Sequence, residues 1–320
     1  METTGLGQRA VAVRAATDGG RRAALRRVLA RTRTTVRRRD LALTSAGAAL
    51  FGALAVVPSM LVAVSLAGVL LGEDAVRGYG RRLADSLPSA MGAPAAVEQV
   101  LGAGLALSPL GVFFAVFMGS AYGDGLSRAL LRYAPVADGE RQGGLLLRAA
   151  TLPLLGLAPL MLCGMLVASP GLARLVDREG VGGVALASYL SLTLVWVLTW
   201  APLTWTFRVV GPGHPSWRSA LVGAVVTGAF VSGFLQGFLV FLALPVDLGR
   251  PFGGLAVVGI TTGLLLWLWV LHAVVLVGYA FTWALDTAWG TAREVVLDLP
   301  EQAPADGPTD RSGDDGIVTG

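Results

Sequence analysis

Few side chains in this sequence have types and spacings that could do chemistry. Histidine occurs twice, at His214 and His272, and cysteine once, at Cys163. Zinc takes its ligands from clustered histidines, cysteines and carboxylates, so a multi-histidine centre is out of reach and Cys163 stands alone. All 25 basic residues are arginine. Without lysine there is no Walker motif, which excludes a P-loop nucleotidase. No GxSxG occurs, and no nucleophile is paired with a base as covalent hydrolysis requires. The expectation is a protein that is not an enzyme and holds no cofactor or metal. The polar groups that remain sit inside or beside apolar runs. Gln236 and His272 lie deep in two of them. Burying such groups unpaired is expensive, so each either bonds a neighbouring helix or faces a wet cavity where it meets substrate. Arg208, Trp217 and Arg218 flank two runs. Guanidinium binds phosphate bidentately, so these residues either anchor helix ends or receive an anionic headgroup.

The elements that position these groups follow from composition. The chain has 320 residues, 54% apolar and only 14% charged, with mean hydropathy +0.66. Soluble domains run at about 45–50% apolar and about 25% charged. A soluble globule and a disordered chain are excluded, and one cysteine rules out a disulfide scaffold. The uncharged gaps are 32 residues after Asp40, 25 after Glu98, 25 after Arg148, 28 after Glu179, 28 after Arg218 and 35 after Arg250. A membrane helix needs about 20 apolar residues. Spans are expected near 44–70, 101–121, 150–168, 184–206, 219–243 and 255–283. Barrel strands would alternate in polarity. Continuous runs such as LVAVSLAGVLL and LLLWLWVLHAVVLV do not. The fold class is an all-α, polytopic membrane bundle of six helices with proline kinks.

Arginine placement gives a direction. With six spans, 19 arginines fall on the side of the termini and 6 on the other. Both termini are expected in the cytoplasm of a bacterial inner-membrane protein. The first apolar run is too long for a cleaved signal and reads as a retained helix. Residues 1–40 form a basic segment of net charge +8, 41–290 the membrane domain, and 291–320 an acidic, disordered tail. Within the basic segment Leu25, Val28, Leu29, Thr32 and Val36 recur at helical spacing among arginines. That pattern suits an interfacial helix on anionic lipid headgroups. It lacks the aromatics that stack on nucleic acid, so no nucleic-acid partner is expected. Residues 73–98 suggest a short amphipathic helix outside the first span.

Prolines in the runs, Pro58, Pro109, Pro153, Pro159 and Pro202, predict kinks, read either as ordinary helix shape or as hinges round a cavity. Small residues four apart mark packing faces: Ala220, Ala224, Gly228 and Ser232 in one run, Gly259 and Gly263 in the last. Such rows serve contacts within the bundle or a homo-oligomer. Tryptophans such as Trp196, Trp200 and Trp205 fit interfacial belts or packing.

Three stretches resemble the YihY/virulence-factor BrkB family of bacterial inner-membrane proteins. One is DLALTSAGAALFGALAVVP from Asp40 to Pro58. Another is Pro215-Ser216-Trp217-Arg218 followed by Ala220, Leu221, Gly223 and Ala224. The third runs from Phe252-Gly253-Gly254 to Gly278 and includes Leu266-Trp267-Leu268-Trp269. The likeness covers roughly 25–290. It leads one to expect an acid two positions after Gly278, where this chain has Ala280. The resemblance implies an integral membrane protein linked to envelope integrity and possible lipid movement. The leading expectation is a transporter-like protein that translocates lipids or anions. The alternatives are a non-transporting scaffold of the envelope and, far behind, a membrane-associated nuclease.

Overall fold

The computed structural model describes the backbone of residues 4–86, 92–135, 145–243 and 246–290, with side chains over most of these but not over 4–19 or 155–181. The acidic tail at 291–320 lies outside the described residues. Every regular element among the described residues is helical. In chain order they are α1 (Thr4–Arg37), α2 (Leu41–Leu71), α3 (Glu73–Ser86), α4 (Ala93–Leu105), α5 (Pro109–Leu131) and α6 (Leu145–Trp205). A π-helical turn (Thr206–Val210) follows, then α7 (Trp217–Ala243), a 3-10 turn (Arg250–Phe252) and α8 (Ala256–Ala288).

Five stretches are long and apolar enough to cross a bilayer: Leu41–Leu71, Pro109–Leu131, Gly182–Val210, Trp217–Phe238 and Ala256–Ala288. The span expected at 150–168 lies largely on residues whose side chains are outside the description. Its backbone is continuous with α6, which has 61 residues. Its two ends nevertheless lie together: the Trp205 indole donates to the Ala150 carbonyl at 2.7 Å, and Leu154 and Leu203 wall one cavity, whereas a straight helix would part its ends by about 80 Å. The backbone between 168 and 184 is helical, and α6 doubles back on itself between Leu154 and Leu203. The charges from Arg174 to Glu179 end an apolar run without ending a helix.

The expected span at 101–121 is corrected more sharply. The chain breaks between α4 and α5. The Ser108 hydroxyl accepts a hydrogen bond from the Gly111 N–H at 3.1 Å, and Pro109 takes the first helical position. Proline costs nothing there, because that N–H has no helical partner. Pro109 is a helix start and no kink, and the run read as one span contains the end of α4 and the start of α5. Mean hydropathy is blind to a Ser-Pro cap. The short amphipathic helix expected after the first span is α3. It pairs with α4 against the far end of α2, where Gly80 meets Leu101 and Gly104 meets Val64.

Inside the bundle small and hydroxyl-bearing residues sit beside a core of large ones such as Leu126, Leu130, Phe207, Leu276 and Tyr279, and much of the outside is apolar. Ser45, Ser219, Ala220, Ala224, Ser232 and Thr282 are fully buried, while Leu43, Leu54, Val69, Phe113 and Val257 are exposed. A lipid-facing exterior gains nothing from hiding leucine, so small residues that let backbones approach take the close helix contacts. The α7–α8 contact shows the device. Thr227 fills the space over Gly278, and Thr282 fills the space over Gly223. Each threonine hydroxyl donates to a carbonyl four residues back in its own helix, Gly223 at 2.7 Å and Gly278 at 2.9 Å. Neither hydroxyl is left wanting in the interface. On the outside, α1 lays Val28 against Ala284 and Leu285 of α8.

Candidate functional site

Helices α5 to α8 surround a cavity of about 340 Å³ walled mainly by Leu126, Pro202, Leu203, Val231, Leu268 and Val275. Its polar residues are Tyr122, Thr199, Thr206 and His272. The hydrogen bonds fix the state of the imidazole. Nδ1 lies 2.7 Å from the Leu268 carbonyl, which only accepts, so Nδ1 carries the proton. In the neutral ring Nε2 then presents a lone pair, and the Tyr122 hydroxyl donates to it at 3.0 Å. The two rings meet edge to face, 5.7 Å apart. Gly52 of α2 backs the imidazole. A Cβ there would stand 2.9 Å from His272 Cε1, so only a glycine leaves the ring its place.

Thr206 on the cavity wall opens the π-helical turn that follows Pro202. Such turns inside helices recur at functional sites. This one is pinned by Tyr279, which is fully buried, packs on Phe207 with centroids 5.6 Å apart and donates its hydroxyl to the Pro212 carbonyl. Gly211 lies under that ring, and a Cβ there would come within 2.8 Å of the phenol oxygen. Arg208 projects from the turn. Its guanidinium carbon lies 5.4 Å from the centroid of the Trp217 ring, and its Nε is buried with no hydrogen-bond partner. Trp217 itself is 55% exposed, and Arg218 beside it is exposed.

The same corner holds a buried carboxylate. Asp286, 1% exposed, accepts from the Ser216 N–H at 3.0 Å, the Ser216 hydroxyl at 2.6 Å and the Ser219 hydroxyl at 2.7 Å. It thereby faces the N-terminus of α7 and meets the positive end of that helix dipole. The protein's own carboxylate occupies the place an external anion would take there.

The family model described as "Virulence factor BrkB" matches residues 32–300, which includes α2 to α8 and every residue of the cavity. The chain belongs to the virulence factor BrkB family. No curated protein and no solved structure matches it at a significant level. The acid expected two residues after Gly278 is absent from this BrkB member, and Ala280 is buried at 2% in the core, so nothing charged stands at that point. Among the described residues, no group of three or more histidines, cysteines, aspartates or glutamates is placed to hold a metal.

The other sequence candidates of this BrkB chain separate clearly. His272 lines the cavity. Gln236 does not: its amide donates to the Ser191 hydroxyl of α6 at 3.1 Å, a helix-to-helix bond. The row Ala220, Ala224, Gly228, Ser232 packs within the molecule. A Cβ on Gly228 would stand 2.9 Å from Thr199 Oγ1, and the Ser232 hydroxyl donates to the Leu192 carbonyl at 2.9 Å. Gly259 and Gly263 face Leu248 in the connection before α8 and contact no other helix's glycine row. Pro58 lies within α2, which runs unbroken through it, whereas Pro202 reaches the cavity wall. Trp196 donates to the Val225 carbonyl at 2.8 Å and ties α6 to α7, and Trp205 donates to the Ala150 carbonyl at 2.7 Å and ties the two ends of α6 to each other. Tyr122, Gly52 and Asp286 escaped sequence reasoning. A tyrosine or glycine in an apolar run carries no signal by itself. Asp286 had one: it is the acid that ends the 35-residue uncharged gap.

Proposed function

We propose that this BrkB protein moves lipids or lipid-like anions in the bacterial inner membrane, with both termini cytoplasmic. The observation that carries the reading is the cavity among α5 to α8, apolar along its walls and adjoining a π-helical turn that bears a partly buried arginine whose Nε has no hydrogen-bond partner. A purely structural bundle has little use for either feature. A buried donor left unpaired costs about 1–3 kcal/mol, and a guanidinium so held suits a phosphate that arrives from outside. Trp217 belongs at the headgroup level, where an indole is both wet and apolar. In this account Arg208 and Arg218 receive the phosphate, the cavity takes the apolar part with any polar group that reaches it, and Pro202 with the π-helical turn gives α6 a point of bending. Reconstituted protein should move fluorescent phospholipids or organic anions faster than empty vesicles. Absence of movement for every class would overturn the reading in favour of a scaffold.

A further inference from the structure

The cavity's polar atoms have a common property. The Tyr122 hydroxyl spends its proton on His272 Nε2 at 3.0 Å. His272 Nδ1–H is spent on the Leu268 carbonyl at 2.7 Å. The Thr199 hydroxyl donates to the Trp196 carbonyl at 2.7 Å. These three donors are used inside the protein, and what the Tyr122 and Thr199 oxygens keep is lone pairs. Thr206, at the start of the π-helical turn, retains a rotatable hydroxyl. No lysine or arginine lines the cavity.

We infer that the cavity selects a ligand whose polar end donates hydrogen bonds, a hydroxyl- or amine-bearing amphiphile, and disfavours one that ends in a bare anion. This rests on the reading of the cavity as the ligand's path, and it decides between the two substrate classes named there in favour of lipids with donor headgroups. The physical ground is simple. An anion brings only acceptors to a wall on which the Thr206 hydroxyl alone can donate to it, in an apolar setting that gives little back for its lost hydration. A hydroxyl or ammonium completes the unused lone pairs. The selectivity is built by the imidazole: as long as Nε2 takes the Tyr122 proton, the phenol cannot turn its O–H toward an anion.

Two probes of equal length test this: a ten-carbon alcohol and the corresponding alkyl sulfate, each with a diazirine at mid-chain. The purified full-length protein is irradiated with each, and labelling is read by peptide mass spectrometry at Leu203, Leu268 and Val275. The alcohol should label about five-fold more than the sulfate, the ratio that one net hydrogen bond of about 1 kcal/mol supports. His272→Leu frees the Tyr122 O–H to donate, so the ratio should fall toward one. Tyr122→Phe exposes the Nε2 lone pair, another acceptor, so the preference should persist. A merely structural role for the pair would make the two variants alike. Equal labelling of the wild-type protein by both probes overturns the inference, as does a preference that survives His272→Leu. Should that variant fail to fold, the wild-type ratio alone decides. An alcohol preference without lipid flux in vesicles would defeat the transport reading and leave this site standing. Flux without the preference would do the reverse.

Discussion

The Tyr122 hydroxyl donates to His272 Nε2 at 3.0 Å, and this bond joins α5 to α8 at the point where Gly52 brings α2 against the imidazole. Three helices therefore meet on one ring. Because the ring is held at both nitrogens, it cannot swing aside for a methyl group. Gly52→Ala should destabilise the protein by about 1–3 kcal/mol, the usual range for overpacking. Gly47, on the same helix, has open space where its Cβ would go. Gly47→Ala should be neutral or stabilising by up to about 1 kcal/mol. Thermal unfolding of both variants in detergent checks the contrast. Equal effects would mean that Gly52 does not make room for the ring.

The crossed threonines of α7 and α8 predict a coupling. Gly278→Ala drives a methyl into Thr227, and Thr227→Ala removes the two nearest atoms, leaving only the Cβ at 2.8 Å. Each single change should destabilise, while the double change should recover more than about 0.5 kcal/mol relative to additivity. Gly223→Ala with Thr282→Ala should behave likewise. Additive energies in both cycles would show that the two helices do not pack as described.

Much of this was legible in the residues. The row from Ala220 to Ser232 announced a packing face, and the apolar gaps placed five crossing segments correctly or within a shifted frame. Two things were hidden. Pro109 looked like a kink because hydropathy averages across the Ser108 cap. The Tyr122–His272 pair joins residues 150 positions apart, and no local period encodes such a meeting. Gln236 and His272 looked equivalent as deep polar groups. Only their partners, Ser191 on one side and a cavity on the other, tell them apart.

That difference is testable. Gln236→Ala removes one interhelical bond, and such bonds in membranes average about 0.6 kcal/mol. Its stability should fall slightly and any lipid flux should stay at the wild-type level. A loss of flux in a folded Gln236→Ala protein would return Gln236 to the ligand path.

Asp286 should be far less tolerant. Its carboxylate takes three hydrogen bonds from Ser216 and Ser219 and faces the α7 dipole. Bonds to a charged group are worth about 1.5–3 kcal/mol. Asp286→Asn should lower stability by about that amount, read as a drop in the unfolding midpoint, while Asp124→Asn, half-buried and paired with an exposed Arg128, should change it less. Equal shifts would deny the buried carboxylate its role.

The central claim is that lipid passes through the cavity among α5 to α8. Its most direct test is lipid movement in proteoliposomes carrying the wild-type protein or Val231→Trp, which fills the cavity from the α7 wall. The account expects movement of fluorescent phospholipid above empty vesicles for the wild type and a fall to the empty-vesicle rate for folded Val231→Trp. Movement undiminished by the tryptophan, or none with either protein, would contradict it.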